Sequence, residues 1–492
     1  MKSSFLSFVS LLIFSIALLS CTQRDKASAP LEKPETVVDF DLDKIKERGY
    51  IVAIMDNSST GLFLYKGHTM GYEYELLQLY AKEIGVDLRM NITTSLQEGF
   101  EKLNAGEGDI LAYNLTVTKE RKTRIAFTEY HNLVRSVLVQ SKPDNWRDMK
   151  LHEIENTMLR NQVDLIGKTV YVRAGSSYVE RLENLSEEIG GDINIIEDDP
   201  DVETEGLIRK VAEGEIPYTV ADEDVALVNA TYYSNLDIKT PVSFPQQVAW
   251  GVRKNAPGLL SSLNEWILTM KKTADYYVIY DKYFKSTKSS LRRTKSDYYS
   301  MTSGELSPYD DIIKKYADEL GWDWRLLAAQ IFKESKFNPN AKSWAGAVGL
   351  MQLLPVTAKE YGIDDLYNPA DNIYAGTQHV KWLQEYWEDK VADSVERRKF
   401  ILASYNVGHG HVMDAVRLTD KYGKDSQIWD DNVEEFLLKK STSKFFDDEV
   451  VQYGYCRGIE PVTYVKKIYS IYENYKILMP DESLDESAET ES

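Results

Sequence analysis

The spacing of apolar residues changes once along the chain, and two folded regions follow from that change. From residue 40 to residue 285, apolar runs of strand length alternate with stretches in which apolar residues recur every three or four positions. Residues 51–55 form such a run, 72–84 have helical periodicity and stop at Gly85, 86–92 read as extended, and 96–104 are helical again. A short helix over 41–49, closed by Gly49, opens the region. Strand and helix in alternation predict an α/β domain. Beyond residue 308 the strand pattern stops. Ile312, Ile313, Tyr316 and Leu320 share one face of a helix over 309–320 that Gly321 ends, and further helices are predicted at 326–335, 355–361, 370–387, 395–405, 412–421 and 463–476. The region 308–478 therefore reads as all-α.

The remaining segments carry neither rhythm. Residues 286–307 are rich in Ser, Thr, Lys and Arg, the composition of a linker, and 479–492 form an acidic tail whose composition predicts disorder. At the other end, Lys2 precedes an apolar run over 5–19 that is short for a bilayer span and ends at Leu18-Leu19-Ser20-Cys21. This reads as an export signal whose last four residues resemble a bacterial lipobox. The resemblance implies a lipoprotein signal at 1–21, acylation of Cys21, a membrane held through that lipid anchor, and a tether over 22–39. Several acyl chains on one residue anchor stably where one does not. Thr22 supplies no acidic retention signal, which points to the outer membrane, facing the periplasm. Cys456 is the only other cysteine, so no disulfide is expected within the mature chain.

Composition narrows the picture a little further. A chain of 492 residues exceeds one ordinary core, and 32 Tyr and 9 Trp can build large cores and stacking surfaces. A formal net charge of −20 excludes nucleic acid as a natural partner.

One carboxylate stands out in the second region. Leu327, Ile331 and Glu334 are spaced four and three residues apart, which places them on one helical face that is otherwise apolar. Asn338-Pro339 predicts a helix end just beyond, where the negative end of the dipole opposes another negative charge. Poor hydration and the dipole both favour the protonated acid, and an acid protonated near neutral pH can deliver a proton to a leaving oxygen. Three motifs follow it: Gly349-Leu350-Met351-Gln352-Leu353-Leu354-Pro355, Ala403-Ser404-Tyr405-Asn406-Val407-Gly408 and Glu460-Pro461-Val462-Thr463-Tyr464-Val465.

The order ES, GLMQ, YN and E-x-x-x-Y-V resembles the catalytic domain of the soluble-type lytic transglycosylases, goose-lysozyme-like enzymes that cut peptidoglycan. That resemblance implies Glu334 as the catalytic acid and Ser343, Met351, Gln352, Tyr405, Asn406 and Tyr464 as residues lining a saccharide cleft. In the family, one carboxyl group protonates the bond between N-acetylmuramic acid and N-acetylglucosamine. It then takes the proton of the muramic C6 hydroxyl, leaving a 1,6-anhydro ring, so peptidoglycan glycan strands are the expected partner. Glu460 reads as structural. His409 and His411 flank Gly410 with no third clustered ligand, so no metal is expected, and no Gly-rich phosphate loop is evident, so the reaction needs no cofactor.

In the first region, Leu103-Asn104-Ala105-Gly106-Glu107-Gly108-Asp109-Ile110, Leu115-Thr116-Val117-Thr118-Lys119-Glu120-Arg121 and Phe127-Thr128-Glu129-Tyr130 resemble the amino-acid-binding type of periplasmic solute-binding proteins. The resemblance implies two lobes around a cleft over 40–285, with the chain crossing near 137–141 and 240–245. It gives Thr116 and Arg121 to a ligand carboxylate, the turn at Gly175, Ser176 and Ser177 to an anion, and Asp222 to a ligand ammonium, with Arg173 adding positive charge. Asn114 departs from the Gly common there. The expected fold is thus multidomain, an α/β two-lobed periplasmic-binding-protein domain followed by an all-α lysozyme-like domain. Its expected function is a transglycosylase that stem peptides or muropeptides regulate through the first domain. A hydrolytic lysozyme, or a lipid-anchored receptor whose helical domain only holds the wall, remains the alternative.

Overall fold

The two lobes of the first domain are each a twisted sheet with helices on its faces. The computed structural model describes residues 38–480 except 94, 200 and 201; the signal, Cys21, nearly all of the tether and residues 481–492 of the tail lie outside the described residues. In the first lobe the strands run in the order Asp87–Ile92, Tyr50–Met55, Ile110–Leu111, Gly251–Val252 and Ala126–Phe127. The strand Tyr50–Met55 pairs in parallel on both sides, and its Ile51, Ala53, Ile54 and Met55 are buried, the burial expected of a continuous apolar run covered by helices. The second lobe has the order Asn194–Asp198, Thr169–Arg173, Tyr218–Asp222, Ser136–Ser141 and Leu236–Pro241. The crossings expected at 137–141 and 240–245 are displaced. Most of those residues belong to the second-lobe sheet, and the chain passes between lobes at the antiparallel pair Asn132–Val134 and Gln246–Val248. The resemblance gave the approximate place, and the offset of a few residues is set by pairing between two segments more than 100 residues apart.

The second domain is helical, with its longest helices at Pro369–Glu388 and Ile459–Leu478. Asp323, Asn368 and Asp393 cap three of its helices by accepting N–H bonds from the first turn. Trp387 and Trp429, both fully buried, pack edge-on or tilted against Phe400 in its core.

The segment 286–307, read from composition as a linker, is folded. It contains the helix Thr287–Thr294, and its later part lies beside the hairpin Phe63–Tyr65 and His68–Met70. Lys66 N–H donates to the Tyr298 carbonyl at 2.8 Å and Ser300 N–H to the Leu64 carbonyl at 3.0 Å, so Tyr299 forms an antiparallel bridge with Tyr65 at the hairpin edge. The same hairpin touches the helical domain. The Tyr475 hydroxyl donates to the Gly67 carbonyl at 2.8 Å, Asn474 donates to Thr69 Oγ1 at 3.0 Å, and the His68 ring meets Phe332 edge-on at 4.8 Å. Gly67 has φ +73°, and a Cβ there would lie 2.5 Å from Phe337 and 2.8 Å from Phe332. Only glycine fits that approach.

A buried ion pair fixes the entry to the last helix. Lys440 and Asp414 are both 0% exposed and bond one another. Asp414 also accepts N–H bonds from Gln452 at 2.8 Å and Tyr453 at 2.9 Å, which pins the loop leading to Ile459–Leu478. Asp414→Ala leaves a buried ammonium with His411 but no counter-charge from Asp414 and strands two amides, and should destabilise the protein by about 3–5 kcal/mol, read as a lower urea midpoint at unchanged slope. A loss of less than about 1 kcal/mol would mean that the pair is not what holds the loop.

Candidate active site

Glu334 lies in the last turn of the helix Trp324–Ser335, whose Leu327 and Ile331 are buried on the same side. The helix ends at Lys336, φ +54°, and Phe337 follows at φ +59°. Two consecutive non-glycine residues in the left-handed region cost roughly 1–2 kcal/mol each. Burial of Phe337 against Phe332, beneath the hairpin of the first domain, opposes that strain.

The carboxyl of Glu334 is displaced from ordinary behaviour. Burial raises its pKa to about 7, while a hydrogen bond from the Tyr464 hydroxyl, 2.5 Å from Oε1, and the nearby Lys333 ammonium work the other way. Among the described residues, no second carboxylate acts on it. Tyr464, on the helix Ile459–Leu478, is itself buried. Gln330, one turn before Glu334 and fully buried, sits beside the Tyr464 hydroxyl without a well-aligned hydrogen bond. Sequence reading missed Gln330, although its place four residues before Glu334 on the same face was visible.

The turn after the acid helix depends on one amide. Asn372 on Pro369–Glu388 is fully buried, donates to the carbonyls of Val348 and Leu366, and accepts the N–H of Met351. Gly349 at φ +83° allows Asn372 to come so close, and Gln352 at φ +51° closes the turn. The expected saccharide contacts separate here. Gln352 stays at the turn and donates to the carbonyls of Ala341 and Gly349. Tyr405 donates to the Met351 carbonyl at 2.8 Å, so Tyr464 and not Tyr405 holds the acid. Ser343 accepts the N–H of Ala347 and pins its own loop, and Asn406 is exposed at the helix end. Met351 is a correction. Its side chain is 0% exposed and lies against Gly376, so its thioether is packing and cannot meet a ligand. Glu460 forms an exposed pair with Arg457, away from the acid's electrostatics.

In the first domain, Thr116, Arg121, Arg173, Ser176, Ser177 and Asp222 all line one cavity between the lobes, of about 90 Å³, together with Asp56, Glu203 and Glu205. Arg121 is buried, donates to the Thr116 carbonyl, and makes no ion pair among the described residues; burial lowers its pKa. Arg173 pairs with Glu203. The Gly175 amide is taken by Glu197. Asp222 departs from the expected ammonium anchor. Burial and then the neighbouring Asp224 raise it to about 8, and the side chain of Asn114 donates to it at 3.1 Å. The lobes are latched there and at Glu205, which accepts the N–H and hydroxyl of Ser59.

Comparison with known proteins supplies a family context for this geometry. A family model for the transglycosylase SLT domain matches residues 311–428, and one for bacterial extracellular solute-binding proteins, family 3, matches residues 51–286. A protein of Desulfosudis oleivorans named membrane-bound lytic murein transglycosylase F is 34% identical over 433 residues, covering 88% of this chain and 91% of that protein. One of the same name from Maricaulis maris is 31% identical over 478 residues, covering 97% and 98%. Among solved structures, a mutant of ArgBP from T. maritima is 24% identical, covering 50% of this chain and 99% of that chain, with a TM-score of 0.41.

The raised pKa of Glu334 has a measurable effect on stability. Between the ordinary value of 4.5 and about 7 the folded state binds a proton that the unfolded chain has lost, so stability falls as pH rises through that window. Glu334→Gln removes the penalty while keeping an acceptor for Tyr464. The variant should match the parent near pH 4 and exceed it above pH 8 by on the order of 2–3 kcal/mol, read by denaturant unfolding at both pH values. Equal stability at both would show that the carboxyl ionises as it does in water.

Proposed function

Because the chain belongs to the membrane-bound lytic murein transglycosylase F family, we propose that Glu334 is the single acid and base with which it cleaves peptidoglycan. The observation that carries this reading is a carboxyl group held near pKa 7 by burial, on which no second carboxylate acts among the described residues. Glycosidases that use water or a carboxylate nucleophile need a pair of carboxyl groups, whereas an internal hydroxyl as nucleophile needs one group that works twice. Protonated Glu334 gives its proton to the oxygen between N-acetylmuramic acid and N-acetylglucosamine as that bond breaks. The resulting carboxylate then takes the proton of the muramic C6 hydroxyl as it bonds to C1, and the 1,6-anhydro ring closes without water. Tyr464 steadies the carboxylate stage with its hydrogen bond. Gln352, Ser343, Asn406 and Tyr405 border the saccharide around it.

Lipidation of Cys21, and with it attachment to the outer membrane on the periplasmic side, belongs to the same reading. Among the described residues no helix is long and apolar enough to cross a membrane. Acyl labelling checks it: the parent should take up label and Cys21→Ala should not, and full labelling of the variant would remove Cys21 from the anchor.

The first domain is read as a sensor of stem peptides or muropeptide fragments. Arg121 offers a buried guanidinium, suited to a carboxylate. The cavity of about 90 Å³ is well under the roughly 300–1,000 Å³ of ordinary ligand pockets, so the lobes must part at Ser59–Glu205 and Asn114–Asp222 to admit a peptide. Asp56, Ser58 and Thr60 line that cavity, and a few residues later the same chain becomes the hairpin seated on Phe332 and Phe337. Lobe movement thereby reaches the end of the acid helix. A ligand alters activity only as far as it prefers one lobe arrangement, typically about 1–3 kcal/mol or several-fold.

Two measurements follow. Glu334→Gln should bind the wall as before yet lose at least about a hundredfold of cleavage, and the parent should release fragments with anhydro ends by mass analysis. Hydrated ends would mean hydrolysis, and near-parental turnover in the variant would move the chemistry elsewhere. Stem peptide added to the full chain should change its cleavage rate several-fold, with the effect lost in Arg121→Ala. A rate indifferent to peptide, with no peptide bound, would make the first domain a spacer.

A further inference from the structure

Gln330 is a group that the fold keeps at a cost and that the proton transfers of Glu334 do not themselves use. It stands one turn before Glu334 on the helix Trp324–Ser335 and is fully buried, flanked by the equally buried Leu326, Leu327, Ala329 and Ile331. Neither its Oε1 nor its Nε2 has a well-formed hydrogen bond among the described residues. A buried amide in that condition destabilises a fold, and an apolar side chain of similar shape would not. A native interior rarely keeps such a group without a use for it.

The polar group its amide meets, off the line of a good bond, is the hydroxyl of Tyr464. A phenol has one proton to give and lone pairs with which to accept. That proton goes to Glu334 Oε1, 2.5 Å away, so what the hydroxyl offers Gln330 is its oxygen, and the amide faces it as a donor. Tyr405, another titratable group near that hydroxyl, gives its own proton to the Met351 carbonyl and does not compete. Lys333 acts on the same ring from the same turn of helix, its ammonium over the Tyr464 face at 5.2 Å from the centroid. Linked hydrogen bonds polarise one another, so a phenol that accepts from an amide donates more strongly. Stronger donation favours the carboxylate of Glu334 over its neutral form.

We propose that Gln330 is a positioning residue for the reaction: its amide donates to the Tyr464 oxygen as Glu334 gives up its proton, and keeps the phenol's single proton directed at Oε1. The other carboxyl oxygen, Oε2, is thereby left to carry the proton to and from the saccharide. Hydrogen bonds at such sites are often long or misaligned at rest and tighten as the reaction proceeds, which accounts for the alignment seen here. Being fully buried, Gln330 acts through Tyr464 and not on the saccharide. The role rests on the reading of Glu334 as acid and base.

Gln330→Met keeps the volume and removes the amide, and Gln330→Leu serves as a second variant if Met does not fold. In the full chain in detergent, cleaving purified glycan strands, the substitution should lower kcat about three- to tenfold with KM within about twofold, while the urea midpoint holds or rises. The Glu334 carboxyl, followed by carbon-13 NMR with labelled glutamate and assigned by its loss in Glu334→Gln, should titrate about half a pH unit or more above the parent. In a Tyr464→Phe background the same substitution should change neither the rate nor the titration further. A parental kcat, an unmoved Glu334 titration, or an equal loss of rate without the Tyr464 hydroxyl overturns the assignment and makes Gln330 packing alone. Failure of the underlying chemistry looks different: Glu334→Gln would then cleave like the parent, whereas failure of this role leaves Glu334→Gln inert and Gln330→Met parental.

Discussion

The hydrogen bond from Tyr464 to Glu334 joins two helices 130 residues apart in the chain, and the catalytic half depends on what that contact has to balance. Burial pushes the carboxyl toward its neutral form; the phenol pulls it back toward the anion. A group held between those influences can give a proton and later accept one at the same pH, which a fully desolvated or a fully solvated Glu could not do. The supporting features act on the two ends of this contact. The strained Lys336–Phe337 exit and the hairpin fix the acid's helix, and the Asp414–Lys440 pair fixes the loop that leads to the tyrosine's helix.

How much of this was legible in the sequence depends on the range of the interactions involved. The helix Tyr72–Ile84 was read to the residue because its stop, Gly85, and its periodicity are both local. The buried setting of Glu334 was legible for the same reason: Leu327 and Ile331, two turns and one turn before it, announce an apolar face. The reading failed where a partner lies far along the chain. Residues 286–307 look like a solvated linker by composition, and they fold because Leu64 and Lys66 offer an open strand edge more than 200 residues earlier. Met351 looked like cleft lining and is core, because Gly376 leaves a space that only the fold brings to it. Which of Tyr405 and Tyr464 meets the acid was beyond the sequence for the same reason, since two tyrosines in suitable motifs can be told apart only by where their hydroxyls end.

The first domain shows the same division. All six residues carried over from the solute-binding pattern line one cavity, which follows from strand ends being fixed by the sheet. Their roles shifted with their neighbours. Asp222 is engaged by Asn114, and the Gly175 amide by Glu197, so the polar inventory left for a ligand is smaller than the motif suggests. Arg121 keeps its capacity because its guanidinium bonds the Thr116 carbonyl and, among the described residues, no carboxylate.

The Gly67 seat also bears on how the molecule can be taken apart. Phe332, Phe337 and Tyr475 are buried in part by a loop that belongs to the other domain, so a helical domain severed near residue 300 would present those three rings to water beside its own acid. Such a fragment would be short of one wall and inclined to self-associate, and the positive-φ exit at Phe337 would lose the surface that holds it in place. Transplanting the helical domain onto another scaffold therefore requires bringing residues 63–70 along, or replacing the three rings with polar side chains. The boundary drawn by family resemblance is not the boundary along which this protein can be cut.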